Sequence, residues 1–361
     1  MPSSSEPAVS AASSGQDGAL PPTRTEVVLP GPVEPGGLVV RTAPLAAPAA
    51  GRVVVRLDAA GVSFAEQQMR RGKYYDQPAF PFVPGYDLVG TVVALGADTP
   101  AELLGRRVAT VCKTGAWASH VTVDAGDVLP VPDGVDAAAA EAVLVNGITA
   151  WQLLHERAAV PAGGTVVVLG ANGGVGSLLV QLARHEGLRV IGTAAPRHHD
   201  LLRRLGAEPV DSGDPAPYDR LRQLAPAWVD AVFDHVGGDG IRRSWNLVRR
   251  GGALVSYGTA ATKDVVENSR LPVLRLFARL GLWNVLPNGR RAGFYSFWAG
   301  RRDIDRFRAR LQEAFAQVMA LVADGVLQPQ VAARLPLSEA GRALALAESR
   351  TVAGKVVLLP G

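Results

Sequence analysis

The chain has few of the features that mark secreted, nucleic-acid-binding or metal-clustered proteins. Its 361 residues include one cysteine, Cys112, which allows neither an internal disulfide nor a zinc site built from several cysteines. The formal net charge is only +4, and no basic stripe is interleaved with aromatic residues, so nucleic-acid binding has no specific support. A lone cysteine favours a reducing compartment, and we expect a cytoplasmic protein.

The first 25 residues also lack the pattern of a secretory signal, because no basic start is followed by an apolar run. They are rich in Ser, Ala, Pro and Gly, and we expect residues 1–25 to be a disordered tail. Apolar residues make up 48% of the chain, and at this length they can bury two hydrophobic cores.

The stretch 164–183 has the pattern of a strand, a glycine turn and a helix. Residues 166–169 are apolar, as in a strand buried on both faces of a parallel sheet, and the apolar residues after 177 follow a helical period. Between them, Gly173 lets the backbone approach a pyrophosphate and Gly176 lets helix and strand pack closely. An ordinary strand-to-helix connection is the alternative. We predict a dinucleotide site with contacts from Asn172, Gly173, Gly174 and Val175.

The choice of cofactor depends on the end of the next predicted strand, residues 189–193. No acidic residue follows it, although enzymes that prefer NAD hold the ribose hydroxyls with one. Thr193 instead offers a hydroxyl, Arg197 a guanidinium, and His198 an imidazole. A guanidinium matches a 2′-phosphate in charge and bidentate geometry, which favours NADPH. The alternative is that Arg197 is a solvated surface arginine, since two more arginines follow on the same helix.

Strand and helix signals divide the chain into three stretches. Residues 26–136 show short alternating runs broken by turns, which predicts a mostly β domain. Residues 137–301 begin with a helical pattern and then alternate strand and helix, which is typical of a doubly wound sheet. The last stretch, 302–361, contains two helical patterns and a final strand.

Several motifs, in their order and spacing, resemble the zinc-independent medium-chain dehydrogenases/reductases of the quinone oxidoreductase type. They are Gly61-Val-Ser63-Phe64-Ala-Glu66, Arg71-Gly-Lys-Tyr74, Phe82-Val-Pro-Gly-Tyr-Asp-Leu-Val-Gly90, Asn146-Gly-Ile-Thr149-Ala-Trp, Gly173-Gly-Val-Gly, Val232-Phe-Asp-His-Val-Gly-Gly238 and Ala353-Gly-Lys-Val-Val-Leu358.

The resemblance implies an α/β fold with two domains and an active site in the cleft between them. A GroES-like, mostly β catalytic domain would comprise residues 26–136 and 302–361. A doubly wound Rossmann domain that binds NADPH would comprise residues 137–301. The family also includes enone and enoyl reductases and a vesicle membrane protein homologue, so it fixes the fold better than the substrate.

The resemblance also predicts that no metal takes part. In zinc-dependent relatives a cysteine stands in the place of Ser63, a histidine and a glutamate stand in the places of Tyr86 and Asp87, and a third ligand falls near Val145 or Asn146. This set offers one carboxylate, whereas a catalytic zinc needs three protein ligands. None of the six histidines has ligand spacing such as H-E-x-x-H.

Without a metal, hydrogen bonds must polarise the substrate carbonyl, which favours reduction of a C=C conjugated to a carbonyl, or of a quinone. Tyr74 matches a tyrosine of the enoyl reductases and is the candidate proton donor; the alternative is a pocket wall, with water as the acid. Ser63 replaces a family asparagine and can also donate to an oxygen. Glu66 replaces an aspartate, and we predict a structural acceptor for nearby backbone or for Arg70.

Further cofactor contacts follow from the resemblance alone. Thr149 matches a threonine near the nicotinamide. Gly258 and Thr259 end a predicted strand where the nicotinamide should lie. Arg350 matches an arginine that reaches the phosphate end of the cofactor.

An apolar segment with interspersed arginines, residues 269–283, is too charged and too short to span a bilayer. A lid over the cleft or a dimer contact suits it better than a membrane surface. Residues 292–298 predict an edge strand, which the family would pair across a two-fold axis. We therefore expect a homodimer, a small enone or quinone substrate, and neither a nucleic acid nor a membrane partner.

The leading hypothesis is an NADPH-dependent, zinc-free reductase of enones or quinones. One alternative is a biosynthetic enoyl reductase that serves a single pathway intermediate. Another is a cofactor-binding homologue with an interaction role and little turnover, which Ser63 and Glu66 keep open because they depart from the family pattern.

Overall fold

The structure, a computed structural model, describes residues 20–74, 76–258 and 270–361. Two large sheets, one mostly antiparallel and one parallel, form the cores of two domains. The chain builds most of the first domain, leaves it to build the second, and then returns. The predicted α/β architecture, a mostly β domain beside a doubly wound one, is confirmed.

The first domain is dominated by strands because its sequence alternates short apolar runs with turns. Its central strand pairs with a neighbour on each side, so three consecutive valines, Val53 to Val55, are fully buried. The elements before the crossover are β1 (Thr23–Val28), β2 (Val39–Pro44), β3 (Arg52–Val62), α1 (Phe64–Arg70), β4 (Asp87–Leu95), β5 (Arg107–Val111), β6 (His120–Asp124) and β7 (Leu129–Pro130). Those after the return are α8 (Ile304–Ala323), β14 (Val331–Pro336), α9 (Ala340–Glu348) and β15 (Lys355–Leu359).

The second domain alternates strands and helices, as the sequence predicts. Its elements are β8 (Thr165–Val168), α3 (Gly174–His185), β9 (Arg189–Ala194), α4 (His199–Leu205), β10 (Ala207–Asp211), α5 (Pro217–Leu224), β11 (Val229–Asp234), α6 (Ile241–Leu247), β12 (Val248–Ser256), α7 (Arg270–Val285) and β13 (Arg291–Phe294). All neighbouring strands are parallel in the order β10-β9-β8-β11-β12-β13. This order reverses between β8 and β11, and ligands of such sheets bind at that switch point.

One helix joins the two domains. The helix α2 (Ala137–Trp151) continues into a π-helical segment, Gln152–Ala158, and packs on the antiparallel sheet, on α3 and on α8. Side chains from both domains therefore share one continuous apolar core around it. Within the described residues, Ala137–Ala158 is also the helix long and apolar enough to cross a membrane, but 72% of its apolar window is buried inside the protein.

Three expectations need correction or narrowing. Thr23 to Thr25 are not part of a tail, because β1 begins at Thr23 and pairs antiparallel with β2; residues 1–19 lie outside the described part of the chain. The strand β13 is indeed at an edge of its sheet, but it ends at Phe294, since the Tyr295 side chain is buried in the core.

The third concerns α7, which was predicted to be a lid or a dimer contact. Leu276, Leu280 and Trp283 are buried against the second domain's own core, where Trp283 stacks on Trp245 at 4.9 Å between ring centroids. This packing holds the described part of α7 on the flank of its domain. It concerns one face of the helix, so the lid and the dimer contact both stay predictions.

Candidate active site

A glycine turn connects β8 to α3 at the carboxyl edge of the parallel sheet. Because α3 begins at Gly174, the amides of residues 174–176 lie in its first turn, where a helix has no acceptor of its own. An added Cβ at Gly176 would lie 2.4 Å from the Gly170 carbonyl oxygen, which confirms that Gly176 serves close packing. At Gly173 a Cβ would meet nothing nearer than 3.4 Å. The turn is thus open at Gly173, as an approaching anion requires.

The residues predicted to select the cofactor lie just after β9. The Thr193 hydroxyl accepts a hydrogen bond from the Gly170 amide at 3.0 Å, so this side chain fixes the turn itself. Arg197 is exposed, and its Nη2 donates to the Arg350 carbonyl oxygen at 2.6 Å. His198, in contrast, is buried, and burial lowers the pKa of its imidazole. Arg197 is therefore the candidate for the 2′-phosphate, and the contact predicted for His198 stays a prediction.

His235 lies at the same edge of the sheet, although the sequence assigns it no role. It follows β11, and its Nδ1 donates to the Leu169 carbonyl oxygen at 2.9 Å, across the switch point between β8 and β11. Burial lowers the pKa of His235, so the neutral ring keeps Nε2 as an acceptor. An added Cβ at Gly170 would lie 2.1 Å from its Cε1. The signal in the sequence was its position directly after a buried parallel strand.

A loop from the first domain reaches the same edge. Arg350 has a left-handed backbone, with φ +59°, and its charge contributes to the lowered pKa of His235. The Gly354 amide donates to the Asn172 carbonyl oxygen at 3.0 Å, which ties this loop to the glycine turn. Asn172, Arg197, His235 and Arg350 therefore meet around the turn. The cationic groups are suited to a phosphate-bearing ligand.

The remaining cofactor predictions fall near the carboxyl end of β12. Gly258 follows this strand, and a Cβ there would lie 2.7 Å from the His235 carbonyl oxygen. Thr259 lies outside the described residues. Thr149 is buried on α2, and the Tyr295 hydroxyl donates to the Oε1 of Gln152 in the π-helical segment that continues this helix, at 2.8 Å. The Tyr295 amide donates to the Ser256 carbonyl oxygen at 2.7 Å, so this helical stretch is linked to the end of β12.

Ser63 caps the start of α1 and is tied to Glu66. Its amide and its hydroxyl lie 2.8 and 2.6 Å from the Glu66 Oε2. The prediction that Glu66 accepts from nearby backbone is confirmed. Arg70, the other donor predicted for Glu66, instead binds Glu348 of α9 through two hydrogen bonds. A Ser63 hydroxyl that donates to an ionised Glu66 cannot donate to a substrate at the same time.

Ser63, Tyr86 and Asp87, which stand where zinc-dependent relatives hold zinc ligands, have other partners here. The hydroxyl of Ser63 is bonded to Glu66, and the Tyr86 ring packs against Trp298 at 5.5 Å between centroids. Asp87 points into the interior, where its Oδ2 lies 3.4 Å from the Lys355 Nζ. In the described ranges, no group of three or more His, Cys, Asp or Glu side chains is placed to hold a metal. The residues present therefore do not fit a catalytic zinc.

Tyr74 lies in the loop after α1 and is half-buried. Its ring packs against the apolar core that both domains share, and its amide donates to Gln77 Oε1 at 3.4 Å. This position is compatible with a proton donor and with a pocket wall. The adjacent Tyr75 lies outside the described residues.

Comparison with known proteins covers most of the chain. A family model described as an alcohol dehydrogenase GroES-like domain matches residues 49–133, and one described as a zinc-binding dehydrogenase matches residues 205–358. The human synaptic vesicle membrane protein VAT-1 homolog is 30% identical over 322 residues, which are 87% of this chain and 80% of that protein.

A probable quinone oxidoreductase from Schizosaccharomyces pombe is 30% identical over 329 residues, 89% of this chain and 93% of that protein. Among solved structures, Escherichia coli quinone oxidoreductase complexed with NADPH is similar with a TM-score of 0.81 at 25% identity. The match covers 93% of this chain and 100% of that one.

Proposed function

The chain belongs to the quinone oxidoreductase-like branch of the medium-chain dehydrogenase/reductase family, and from this premise we propose a zinc-free, NADPH-dependent reductase of enones or quinones. One observation carries the proposal. Two arginines and the open N-terminus of α3 meet at the switch point of the parallel sheet, while the zinc positions of related enzymes hold Ser63, Tyr86 and Asp87.

NADPH, when bound, supplies a hydride to the substrate. The amides of Gly174 and Val175 are the groups that would hold its pyrophosphate, since helix N-termini bind anions. Arg197 would pair with the 2′-phosphate, and Arg350 would add positive charge beside it. Thr149 and Gly258 lie on the two elements that end near His235, so they would form the nicotinamide end of the site.

The substrate needs donors for the negative charge that collects on its carbonyl oxygen during reduction. Tyr74 is the candidate donor, because a phenol stays neutral at working pH and can hydrogen-bond an oxygen. The aromatic rings of Tyr86, Phe297 and Trp298 lie where the domains meet, and they suit a flat, apolar substrate. The reaction would therefore be conjugate reduction rather than reduction of an isolated ketone.

Two further proposals concern the assembled protein. The parallel sheet has β13 at its edge, and we propose that this edge and α7 form the contact of a homodimer. We also propose a cytoplasmic location, supported by the single cysteine and by the burial of the α2 stretch.

The test is NADPH oxidation with a panel of simple quinones and enones. Gly173→Val is the test variant, because a Cβ there meets no atom nearer than 3.4 Å and the added side chain would fill the open side of the turn. We expect it to abolish NADPH binding and turnover while the melting temperature without cofactor stays that of the wild type. Unchanged NADPH affinity in this variant would refute the placement of the cofactor.

The same assay distinguishes the alternatives. Turnover of simple quinones or enones contradicts the interaction-only role. Tight NADPH binding without turnover on a broad panel would support that role or a pathway-specific enoyl reductase. Turnover of one enoyl thioester, and of none of the others tested, would identify a pathway-specific enoyl reductase.

A further inference from the structure

Four charged side chains from four elements meet in the interior of the first domain. They are Glu66 of α1, Asp87 of β4, Glu141 of α2 and Lys355 of β15, and we call them the acid cluster. Their exposed fractions are 1%, 0%, 0% and 4%. The Lys355 Nζ lies 3.4 Å from the Asp87 Oδ2 and 3.3 Å from the Glu141 Oε1.

The acid cluster contains more carboxyl groups than it can ionise. Three carboxylates would face one ammonium, and isolated buried charges neutralise rather than stay unpaired. Oε1 of Glu66 and Oδ1 of Asp87 are buried without a hydrogen-bond partner. Charge balance alone therefore requires that the acid cluster hold at least one proton on a carboxyl group at neutral pH.

Glu66 and Glu141 are the carboxyl groups that can hold this proton. Burial, followed by the charge of Asp87, raises the pKa of Glu66, and Lys355 offsets only part of the effect. Burial also raises the pKa of Glu141. The nearby Cys112 thiol stays protonated, because burial raises its pKa as well. The groups that face Glu66 are thus Ser63, Asp87 and Lys355, with Cys112 adding no charge.

The chain places one end of the acid cluster beside the boundary between the domains. Asp87 directly follows Tyr86, whose ring packs on Trp298. Ser63 is half-buried, whereas Glu66 is fully buried. The Ser63 hydroxyl is therefore the outer group of the Ser63–Glu66 pair.

We propose that Glu66 and Ser63 form a proton path that leads from the acid cluster to the substrate. The 2.6 Å separation of the Ser63 Oγ and the Glu66 Oε2 suits a proton passing in either direction. When Glu66 holds a proton, it donates to the Ser63 oxygen, and the Ser63 hydroxyl is then free to donate outward. In this state Ser63 is a catalytic residue, and Glu66 is a positioning residue that acts through it.

The proton path rests on the proposed function, and the hydride and protons of that reduction are all accounted for. Hydride from NADPH forms a C–H bond at the β carbon, the C=C bond is reduced, and NADPH is oxidised to NADP⁺. The Ser63 hydroxyl then gives its proton to the α carbon, and the Glu66 proton restores the hydroxyl. Water in the opened cleft returns a proton to Glu66 through Ser63.

The first test needs no turnover. In the cofactor-free protein at neutral pH, infrared spectroscopy should show the carbonyl band of a protonated, buried carboxyl group, and Glu66→Gln should remove one component of it. In D2O that component should shift promptly in the wild type and slowly in Ser63→Ala. A spectrum that Glu66→Gln leaves unchanged, or equal exchange in Ser63→Ala, would overturn the path even if the enzyme proved inactive.

The second test uses single-turnover kinetics. Glu66→Gln and Ser63→Ala should each slow the proton-transfer step about 10- to 100-fold, since water substitutes in part, and the double variant should be no slower than either. Ser63→Thr keeps a hydroxyl and should restore the rate. The control is Glu348→Gln, which weakens the anchoring of α1 through Arg70. It should leave the rate of the proton-transfer step unchanged. Additive losses, or an equal loss in Glu348→Gln, would show a structural effect and refute the path.

Discussion

Arg197 is the residue on which the preference for NADPH depends. Its guanidinium has five N–H donors, and one of them is bonded to the Arg350 carbonyl oxygen. The remaining donors can bind a 2′-phosphate, and a charge-assisted hydrogen bond contributes about 1.5 to 3 kcal/mol. Arg197→Ala should therefore raise the Kd for NADPH roughly 10- to 150-fold. Because Arg197 is exposed, added salt should move the effect toward the lower end.

The assay is a pair of titrations with NADPH and NADH. NADH has no 2′-phosphate, so its Kd should stay nearly constant in Arg197→Ala. The matched control is Arg203→Ala on α4, which removes the same charge from an exposed pair with Asp200. It should change neither Kd by more than a small factor.

Two results would refute the reasoning. An equal loss of affinity for both cofactors would mean that Arg197 acts by holding the loop of Arg350 rather than by binding the phosphate. An equal loss of NADPH affinity in Arg203→Ala would mean that the summed positive charge matters and that no specific pairing exists.

Three further predictions follow from the site. Exhaustive dialysis against a strong chelator should leave turnover unchanged; loss that zinc alone restores would contradict the zinc-free reading. Tyr74→Phe should lower kcat roughly 10- to 1000-fold with unchanged NADPH affinity, whereas an unchanged single-turnover rate and solvent isotope effect would remove Tyr74 from the mechanism. Glu141 has a raised pKa in the folded state, so its contribution to stability is complete below about 4.5, the ordinary value, and is lost as the pH rises. Denaturant unfolding at a series of pH values above about 4.5 should show that the free energy of unfolding falls less steeply with pH in Glu141→Gln, by up to about 1.4 kcal/mol per pH unit. An equal fall in the wild type and the variant would mean that Glu141 is ionised in the folded protein.

The parts of the fold that local patterns determine were predictable from the sequence. The glycine turn follows from a buried strand, small residues and a helical period within twenty positions, and the close packing at Gly176 follows from the same pattern. The alternation of strands and helices, which is also a pattern of neighbouring residues, predicted the parallel sheet. The register and length of β13 were less predictable, because Tyr295 leaves the strand to fill a core that belongs to α2.

Contacts between distant positions were not predictable in this way. Arg70 was one of two donors predicted for Glu66, four residues away, yet it binds the carboxylate of Glu348, 278 residues along the chain. The flank position of α7 depends on Trp245, a residue of another helix. In each case the sequence shows a charged or apolar side chain but does not identify its partner. The partner is determined only when the chain returns to an earlier element.

The acid cluster illustrates why such a site is invisible until the elements are assembled. Glu141 stands alone in an apolar helical stretch, and Lys355 stands at the start of a buried strand. Either residue alone would be costly in the interior, and removing one partner of a buried pair typically costs 3 to 5 kcal/mol. An isolated acid in an apolar helix is therefore a signal in its own right, because it requires a buried cation or a bound proton. Here Lys355 balances one carboxylate, the other carboxyl groups share at least one proton, and the proposed reaction consumes a proton from Glu66 beside Ser63.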